Sequence, residues 1–438
     1  MNRIRGSIFF SVFSAMLGLM LIAPIMPPLI RELGMKESHS GLIISLGSIA
    51  MAVMAPVWGR FSDLKGRKPI ILIGFIGMSV SCALFALALY SGLNAWMGGG
   101  LLLTLLIVTR SLIGAFIPAV LSSSQAYMGD VTEGEERGSG MAIISAANGL
   151  GLVFGPAIAG AFTIIGLLWP LYFGIFIAIA AFIIALLLIP AANPVIQEKA
   201  TKVNPLQRGL RMYLAAGLVT MIGIMTLQVV GGFYFQDQLA LSPAATARIV
   251  SFGLMFSGAA MLIMQVIQMK WLKWQPRSMI SLGSLFLLVS MVLFLISSPL
   301  VIYYLSFFLF GMGSGLMMPG YMAGASLSVS KEQQGGAAGL VAAIQGISAV
   351  ITPLLTTTLY QVDKHIPFML VAVLVVLLVI MMLGMKKNQS NAVVDSIHSL
   401  KSDKVKKSKK VKIKEKRIYF KILNHAGRKS FFFAFYEL

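Results

Sequence analysis

Charge is scarce in this 438-residue sequence: only 11% of its residues are charged, and 58% are hydrophobic. A soluble globular protein carries about 25% charged residues, so this chain cannot cover a surface that faces water. It contains repeated apolar runs of about 20 residues, which as helices cross a hydrocarbon core roughly 30 Å thick. The alternation at period two that is typical of membrane β-strands is absent. We therefore expect an all-α membrane protein.

Reactive side chains are also scarce. The single cysteine, Cys82, cannot form a disulfide within the chain, and no Cys/His spacing indicates a metal site. The four histidines fall in loops or near the C-terminus. Since the sequence also lacks a nucleotide-binding loop and a set of nucleophile and base, we expect neither an enzyme nor an ATP-driven pump, and no cofactor.

Loop residues divide the chain into twelve apolar spans, the first near residues 7–30. That span is longer than the apolar core of a signal peptide, so we expect it to be the first membrane helix. The longest polar break separates six spans from six. We predict an N-terminal six-helix bundle over 1–190, a central cytoplasmic loop over 191–210, a C-terminal six-helix bundle over 211–386 and a basic cytoplasmic tail over 387–438.

Basic residues are distributed unequally between the two sides of these spans. The side with the N-terminus carries fifteen lysines and arginines in its loops, and the opposite side carries four. Because basic loops stay in the cytoplasm, we expect a multi-pass membrane protein with both termini on that side. From Lys386 onward the chain carries fifteen more with only four acids, which favours a disordered segment attracted to anionic lipid. No fold motif supports nucleic-acid binding by the tail.

The two halves of the chain resemble each other. Residues 137–156 align with residues 334–353 at a constant shift of 197, which places Asn148 on Gln345 and Pro156 on Pro353. A second pair of segments, 114–119 and 315–320, is also similar. Two parallel copies of six helices are typical of secondary transporters, whose substrate site lies near the membrane midplane.

Three stretches resemble motifs of the major facilitator superfamily. "GRFSDLKGRK", residues 59–68, resembles the loop motif G-x-L-a-D-r-x-G-r-k. "LIVTRSLIGAF" resembles the fourth-helix motif, with Arg110 and Gly114 in register. "GLGLVFGPAIAG" resembles the fifth-helix antiporter motif, with Ala159 where the family has glycine. Within the superfamily, the chain is similar to the twelve-helix drug:proton antiporters of multidrug and tetracycline efflux. This resemblance implies a location in the bacterial inner (plasma) membrane.

This resemblance implies roles for the motif residues. The loop motif implies a latch that joins the two halves on the cytoplasmic side and breaks during transport, the alternative being a simple topology anchor. We expect its glycines to allow a tight reversal and Asp130 to pair with Arg67. The latch residues are Gly59, Asp63, Gly66, Arg67, Lys68 and Asp130. The antiporter motif, expected to pack closely on a neighbouring helix, comprises Gly151, Gly155, Pro156 and Gly160.

The residue that couples transport to protons is less evident, because none of the fifteen acids lies in the middle of a span. Arg110 is the only ionisable residue deep in a span, where a charge costs about 3 kcal/mol. The resemblance implies that Arg110 takes part in proton transfer; the alternative is an arginine that only binds backbone carbonyls. Asp237, at the outer end of the seventh span, is the nearest candidate carboxylate for coupling.

The expected substrate cavity is polar and, apart from Arg110, uncharged. It would suit a neutral, zwitterionic or anionic compound better than a cation, with aromatic and methionine side chains as an adaptable wall. The expected lining residues are Gln125, Asn148, Gln228, Phe233, Tyr234, Gln236, Met317, Tyr321 and Gln345.

The sequence thus predicts a monomeric secondary transporter that exports small amphipathic compounds such as drugs, by alternating access and at the expense of a proton gradient. Its expected partners are a small-molecule substrate, protons and membrane lipid. Export of an endogenous metabolite such as a siderophore and uptake of a nutrient are alternatives within transport. A non-transporting scaffold or sensor is the alternative from another class.

Overall fold

The computed structural model describes residues 2–132, 135–190, 204–205, 207, 209–272, 274–296, 299–330 and 333–383, and these ranges contain helices and no strand. Met1–Val379 forms one compact unit. Of the second unit, Ile380–Leu438, only residues 380–383 are described, and they are helical. The predicted tail and most of the predicted central loop lie outside the described residues, and the predicted bundle boundaries stay a prediction.

The helices fall into two groups along the chain. The N-terminal group comprises α1 (Asn2–Met20), α2 (Met26–Glu32), α3 (Glu37–Lys65), α4 (Arg67–Leu93), α5 (Gly99–Asp130), α6 (Glu135–Phe162) and α7 (Trp169–Leu188). The C-terminal group comprises α8 (Leu210–Leu239), α9 (Pro243–Ile267), α10 (Pro276–Ile296), α11 (Leu300–Leu327), α12 (Gln334–Val362) and α13 (Ile366–Leu383). A π-helical turn, Gln268–Leu272, continues α9. All except α2 are long and apolar enough to cross a membrane, so the prediction of twelve spans is confirmed.

Lipid explains why these segments are continuous helices. The hydrocarbon core offers no water to the backbone, so its polar groups pair within the helix. In α7, Ala178, Ala181 and Ala185 are buried, whereas the large side chains of Phe176 and Ile183 are exposed on the outer surface. Small residues thus face the neighbouring helices, which come close, and large apolar residues face lipid.

The first predicted span, 7–30, consists of two helices rather than one. The chain leaves the helical conformation after Met20 and returns to it at Met26. Proline has no N–H and clashes with the preceding turn, so Pro24 interrupts the helix, whereas Pro27 fits the first turn of α2. The break allows α2 to lie against α8: a Cβ built on Gly232 would come within 2.6 Å of the Pro27 ring.

Four of the five prolines inside the described helices correspond between the two groups; the fifth, Pro56 of α3, has no counterpart. Pro118 and Pro156 lie inside α5 and α6, and Pro319 and Pro353 lie inside α11 and α12. These are the positions that the two aligned segments of the sequence equate. The internal repeat therefore extends from sequence to the placement of prolines within the helices.

Candidate functional site

Helices α3 and α12 come from different groups and meet at one end of the molecule. We call the end that holds residues 31–41 the Arg31 end, and the end that holds residues 59–68 the Arg67 end. Near the Arg31 end, a Cβ built on Gly41 of α3 would lie 2.5 Å from Pro353 O and 2.9 Å from Leu354 Cα of α12, and closer still to Thr357 Oγ1. Only glycine permits this approach, so the two helices are closed together there.

Toward the Arg67 end the same two helices are apart. A helix presents the same face again after about 18 residues, or five turns. Gly59 lies five turns beyond Gly41 on α3, and Gly339 lies five turns before Thr357 on α12. Among the described residues, no atom beyond the local helix backbone lies within 4 Å of a Cβ built on Gly59 or on Gly339. The faces that touch at the Arg31 end are therefore open at the Arg67 end.

A cluster of polar side chains joins the two groups at the Arg31 end. The Arg31 guanidinium, on α2, donates hydrogen bonds of 2.5 and 2.8 Å to the two carboxylate oxygens of Asp237 on α8. It donates a third, of 2.9 Å, to Glu37 on α3. Tyr360 of α12 donates its hydroxyl to Asp237 at 2.5 Å. We call Arg31, Glu37, Asp237 and Tyr360 the Arg31 cluster.

Electrostatics keep this arginine charged. Burial lowers the pKa of the Arg31 guanidinium, but hydrogen bonds with Asp237 and Glu37 outweigh burial and raise that pKa above its usual value. The guanidinium carbon also lies 5.1 Å from the centre of the Phe233 ring, within reach of a cation–π interaction. The charge on Arg31 is thus present at every physiological pH.

Three residues predicted from sequence belong to this region. Asp237, expected to couple transport to protons, is paired with Arg31, and Phe233 and Gln236, expected to line the cavity, lie beside the same guanidinium. Sequence reasoning did not find Arg31 or Tyr360 as partners of Asp237. The signal was weak: Arg31 is one of only four basic residues on its side, but nothing in the sequence pairs residues so far apart.

The loop motif forms a tight reversal at the Arg67 end. Gly66 lies between α3 and α4 with φ +90° and ψ 155°, a conformation open essentially to glycine alone. Gly59 was expected to share in the reversal, and this was wrong. It lies within α3, because the helix continues to Lys65 before the chain turns.

The charges of the loop motif bind one another within the N-terminal group. Arg67 is only 2% exposed; its Nε donates to Asp130 at 2.8 Å, and a terminal nitrogen binds Asp63 and, at 2.8 Å, Ser62 Oγ. Lys68 donates to the Leu186 carbonyl of α7 at 2.8 Å. The contact predicted between Arg67 and Asp130 is thus present. These partners all lie on α3, α5 and α7, so the contacts seen here join helices of one group rather than the two groups.

Arg110 occupies a different environment. It lies within α5, is 7% exposed and packs against Gly47 of α3. Its Nε is buried without a hydrogen-bond partner, and no ion pair involves it among the described residues. The Oδ1 atom of Asn148 is also buried without a partner. The charge on Arg110 is thus held inside the membrane-spanning body without a counter-charge from the described residues.

The antiporter motif places α6 between α1 and α9. A Cβ on Gly151 or Gly155 would come within 2.7 or 2.5 Å of side-chain atoms of α1. A Cβ on Gly160 would come within 2.5 Å of Ser251 on α9. Conversely, a Cβ built on Gly258 of α9 would lie against Val153 of α6. The sequence did not predict this contact. The expected close packing therefore occurs on two neighbours, one of them in the other group.

A cavity of about 40 Å³ lies where this motif faces the C-terminal group. Because Pro156 has no N–H, the carbonyl of Leu152 lacks its usual helical partner. The volume is sufficient for one water molecule. Its lining includes Leu152, Pro156, Gln228, Ser257, Gly258 and Ser314. Gln228, predicted to line the substrate site, therefore borders this small cavity.

The other predicted lining residues occupy different environments. Gln345 donates to the Tyr321 hydroxyl at 2.9 Å, which brings two of them together. Gln125 is exposed on α5. Tyr234 and Met317 are instead completely buried: Tyr234 donates to the Phe294 carbonyl at 2.5 Å, within an aromatic cluster of the C-terminal group. These two side chains fill packing space here, and their contact with substrate stays a prediction.

Comparison with known proteins places this architecture in a family. A sequence model described as "Major Facilitator Superfamily" matches residues 8–353 and 252–436. Multidrug resistance protein 2 of Bacillus subtilis (strain 168) is 24% identical over 400 residues, covering 87% of this chain and 95% of that protein. Quinolone resistance protein NorA of Staphylococcus aureus (strain COL) is 23% identical over 373 residues, covering 84% and 92%.

Solved structures with the same fold share far less sequence. The nucleoside transporter NupG (D323A mutant) superposes with a TM-score of 0.71 at 12% identity, covering 87% of this chain and 99% of that chain. A bacterial homologue of the human lysosomal transporter Spinster, in an inward-facing and unoccupied conformation, gives 0.68 at 12% identity, covering 87% and 96%. With twelve spans in this fold and a family match along most of its length, this chain is a multi-pass membrane protein and a member of the Major Facilitator Superfamily.

Proposed function

We propose that this transporter exports small amphipathic compounds in exchange for protons. Members of its family bind small-molecule substrates and move them across membranes. The relatives that align with this chain over most of their own length are named for multidrug and quinolone resistance. One observation carries the proposal beyond the family: α3 and α12 touch at the Arg31 end and are open at the Arg67 end. A site reached from one side at a time is what alternating access requires.

The direction of transport follows from the orientation that we propose. The excess of lysine and arginine on the Arg67 side places that end, and both termini, in the cytoplasm of a bacterial cell. The opening then faces the cytoplasm, where an exporter takes up its substrate. The antiporter motif, packed against both α1 and α9, supports the same direction, because it seals the path between the groups.

Energy would come from the proton gradient, with no cofactor. Arg110 supports this, because a charge inside the body without a counter-charge from the described residues can repel or attract a moving charge. The carboxylate that carries the proton is proposed from Asp63, Asp130 and Asp237. We further propose that the protein acts as a monomer, with its basic tail attracted to anionic lipid.

Inside-out membrane vesicles, acidified in the lumen and reported by a pH-sensitive dye, test the function directly. Tetracyclines, chloramphenicol, fluoroquinolones, dye cations and siderophores would be added one at a time. We expect at least one drug to release protons from the lumen. Arg110→Ala should abolish this release. Arg248→Ala, which removes an exposed arginine, is the matched control and should retain it.

Two results would contradict the proposal. Substrate that leaves the vesicles together with protons would indicate uptake into the cell rather than export. Folded protein that shows no proton movement with any drug, and none after a siderophore, would favour an untested metabolite or a role without transport.

A further inference from the structure

The Arg31 cluster carries an inference that neither the motifs nor the relatives supply. We propose that the bond from Arg31 to Asp237 is the latch that holds the Arg31 end closed, and that it must break for this end to open. Asp237 then acts as a gating residue rather than as an isolated proton carrier. The inference rests on the proposed function only for the side of the membrane that this gate faces.

The connection across the two groups is direct. Arg31 lies on α2 in the N-terminal group, and Asp237 lies on α8 in the C-terminal group. Two parallel N–H···O bonds, of 2.5 and 2.8 Å, join them. A two-point contact between guanidinium and carboxylate fixes orientation as well as distance, and is stronger than a single bond. No other ion pair found among the described residues joins the two groups.

Supporting contacts converge on the same bond. Tyr360 of α12 donates its hydroxyl to Asp237, which occupies a carboxylate lone pair and orients the group toward Arg31. Glu37 of α3 accepts another hydrogen bond from Arg31, which fixes the position of the guanidinium. The Phe233 ring shields the cation from one side. The arginine is therefore positioned by its own group and bound by the other.

The position of the cluster makes it suitable as a gate. Gln361 of α12 donates to Ser38 of α3 at 3.1 Å, so the two helices that separate at the far end also hold hydrogen bonds here. Within the described residues, the loop-motif charges at the Arg67 end form ion pairs inside the N-terminal group. The ionic connection between the groups thus lies at the closed end.

A cross-linking experiment that needs neither substrate nor a proton gradient tests the latch. Ser38→Cys and Gln361→Cys, placed in a Cys82→Ser background, report whether the Arg31 end is closed. A short thiol cross-linker is applied to the full chain in membranes, and the rate of cross-linking is measured. Asp237→Asn is then added, which keeps the size of the side chain and removes its charge.

We expect Asp237→Asn to lower the ratio of closed to open protein three- to tenfold, as the loss of a partly exposed charged bond implies, and to slow cross-linking as the closed fraction falls. Glu32→Gln is the matched control, because it removes an exposed carboxylate of α2 that forms no ion pair among the described residues. It should leave the rate within twofold of the parent. Arg31→Lys, which keeps the charge but not the two-point geometry, should give an intermediate rate.

An unchanged rate in Asp237→Asn, or an equal fall in Glu32→Gln, overturns the latch. Thermal melting of each variant in detergent is measured beside cross-linking, and a variant that melts like its parent while cross-linking slowly supports the latch. Because the readout is conformational, failure of the drug-transport assay would not alter this result. A normal drug assay with unchanged cross-linking would reject the latch and leave the proposed function standing.

Discussion

Three arginines show how differently this fold treats one kind of side chain. Arg31 and Arg67 are each held by two carboxylates, whereas no ion pair involves Arg110 in the described part of the chain. A charge taken out of water without a counter-charge destabilises the folded state. We therefore predict that Arg110 serves transport rather than stability.

Replacing Arg110 with methionine should separate these two roles. We expect Arg110→Met to melt in detergent at the same temperature or higher, because an unpaired charge is removed, and to lose at least tenfold of its substrate-dependent proton release. Arg67→Met should instead destabilise the protein by about 3 kcal/mol, since it leaves buried Asp130 without its partner. Thermal melting and the vesicle assay measure both effects. Equal destabilisation by the two changes would mean that Arg110 has a structural partner.

Two glycines of the loop motif should respond in opposite ways to alanine. Gly66 has a backbone conformation that a side chain disfavours, so Gly66→Ala should cost about 1–3 kcal/mol of stability. Gly59 lies inside a helix with free space beside it, so Gly59→Ala should stabilise by up to about 1 kcal/mol. Thermal melting of the two variants side by side measures the difference. Similar melting temperatures would contradict the assigned turn.

At the scale of helices, much of the architecture could be predicted because lipid leaves few alternatives. Apolar length alone identified all twelve spans. The break in the first span was missed because its residues are apolar on both sides of Pro24. The length of the apolar run predicted one continuous helix in spite of the proline. Contacts between helices could not be predicted: Arg31 and Asp237 are brought together only by tertiary packing. The loop-motif pair of Arg67 and Asp130 was predicted because a known family pattern supplied it.

The closest helix contact across the groups provides a test at this scale. At Gly41 the neighbouring atoms include backbone of α12, which cannot rotate away as a side chain can. Gly41→Ala should therefore force α3 and α12 apart at the Arg31 end. Labelling of Ser38→Cys by a water-soluble maleimide, in the Cys82→Ser background, should become several times faster. Gly346→Ala, which adds a methyl group where no atom lies within 4 Å, should leave labelling unchanged.

At the scale of the whole molecule, the open faces of α3 and α12 predict a second arrangement. Gly59 and Gly339 repeat, five turns away, the positions that touch at the Arg31 end. We expect Gly59→Cys and Gly339→Cys, in the Cys82→Ser background, to cross-link slowly in the resting protein. Cross-linking should accelerate when a transported drug is added, and also when Asp237→Asn is introduced. A fast reaction at rest, or none under any of these conditions, would contradict this arrangement.

The spacing of those two contact points has a consequence for leakage. They lie about 27 Å apart along the same pair of helices. Helices that lean together at one end therefore lean apart at the other. The two ends of this helix pair therefore cannot open at the same time, and no continuous passage forms through which protons could follow their gradient. The barrier thus depends on how far α3 and α12 bend, and each contains a proline, Pro56 and Pro353. A glycine introduced midway along either helix should therefore increase proton leak, measured as faster loss of the pH gradient in the vesicles.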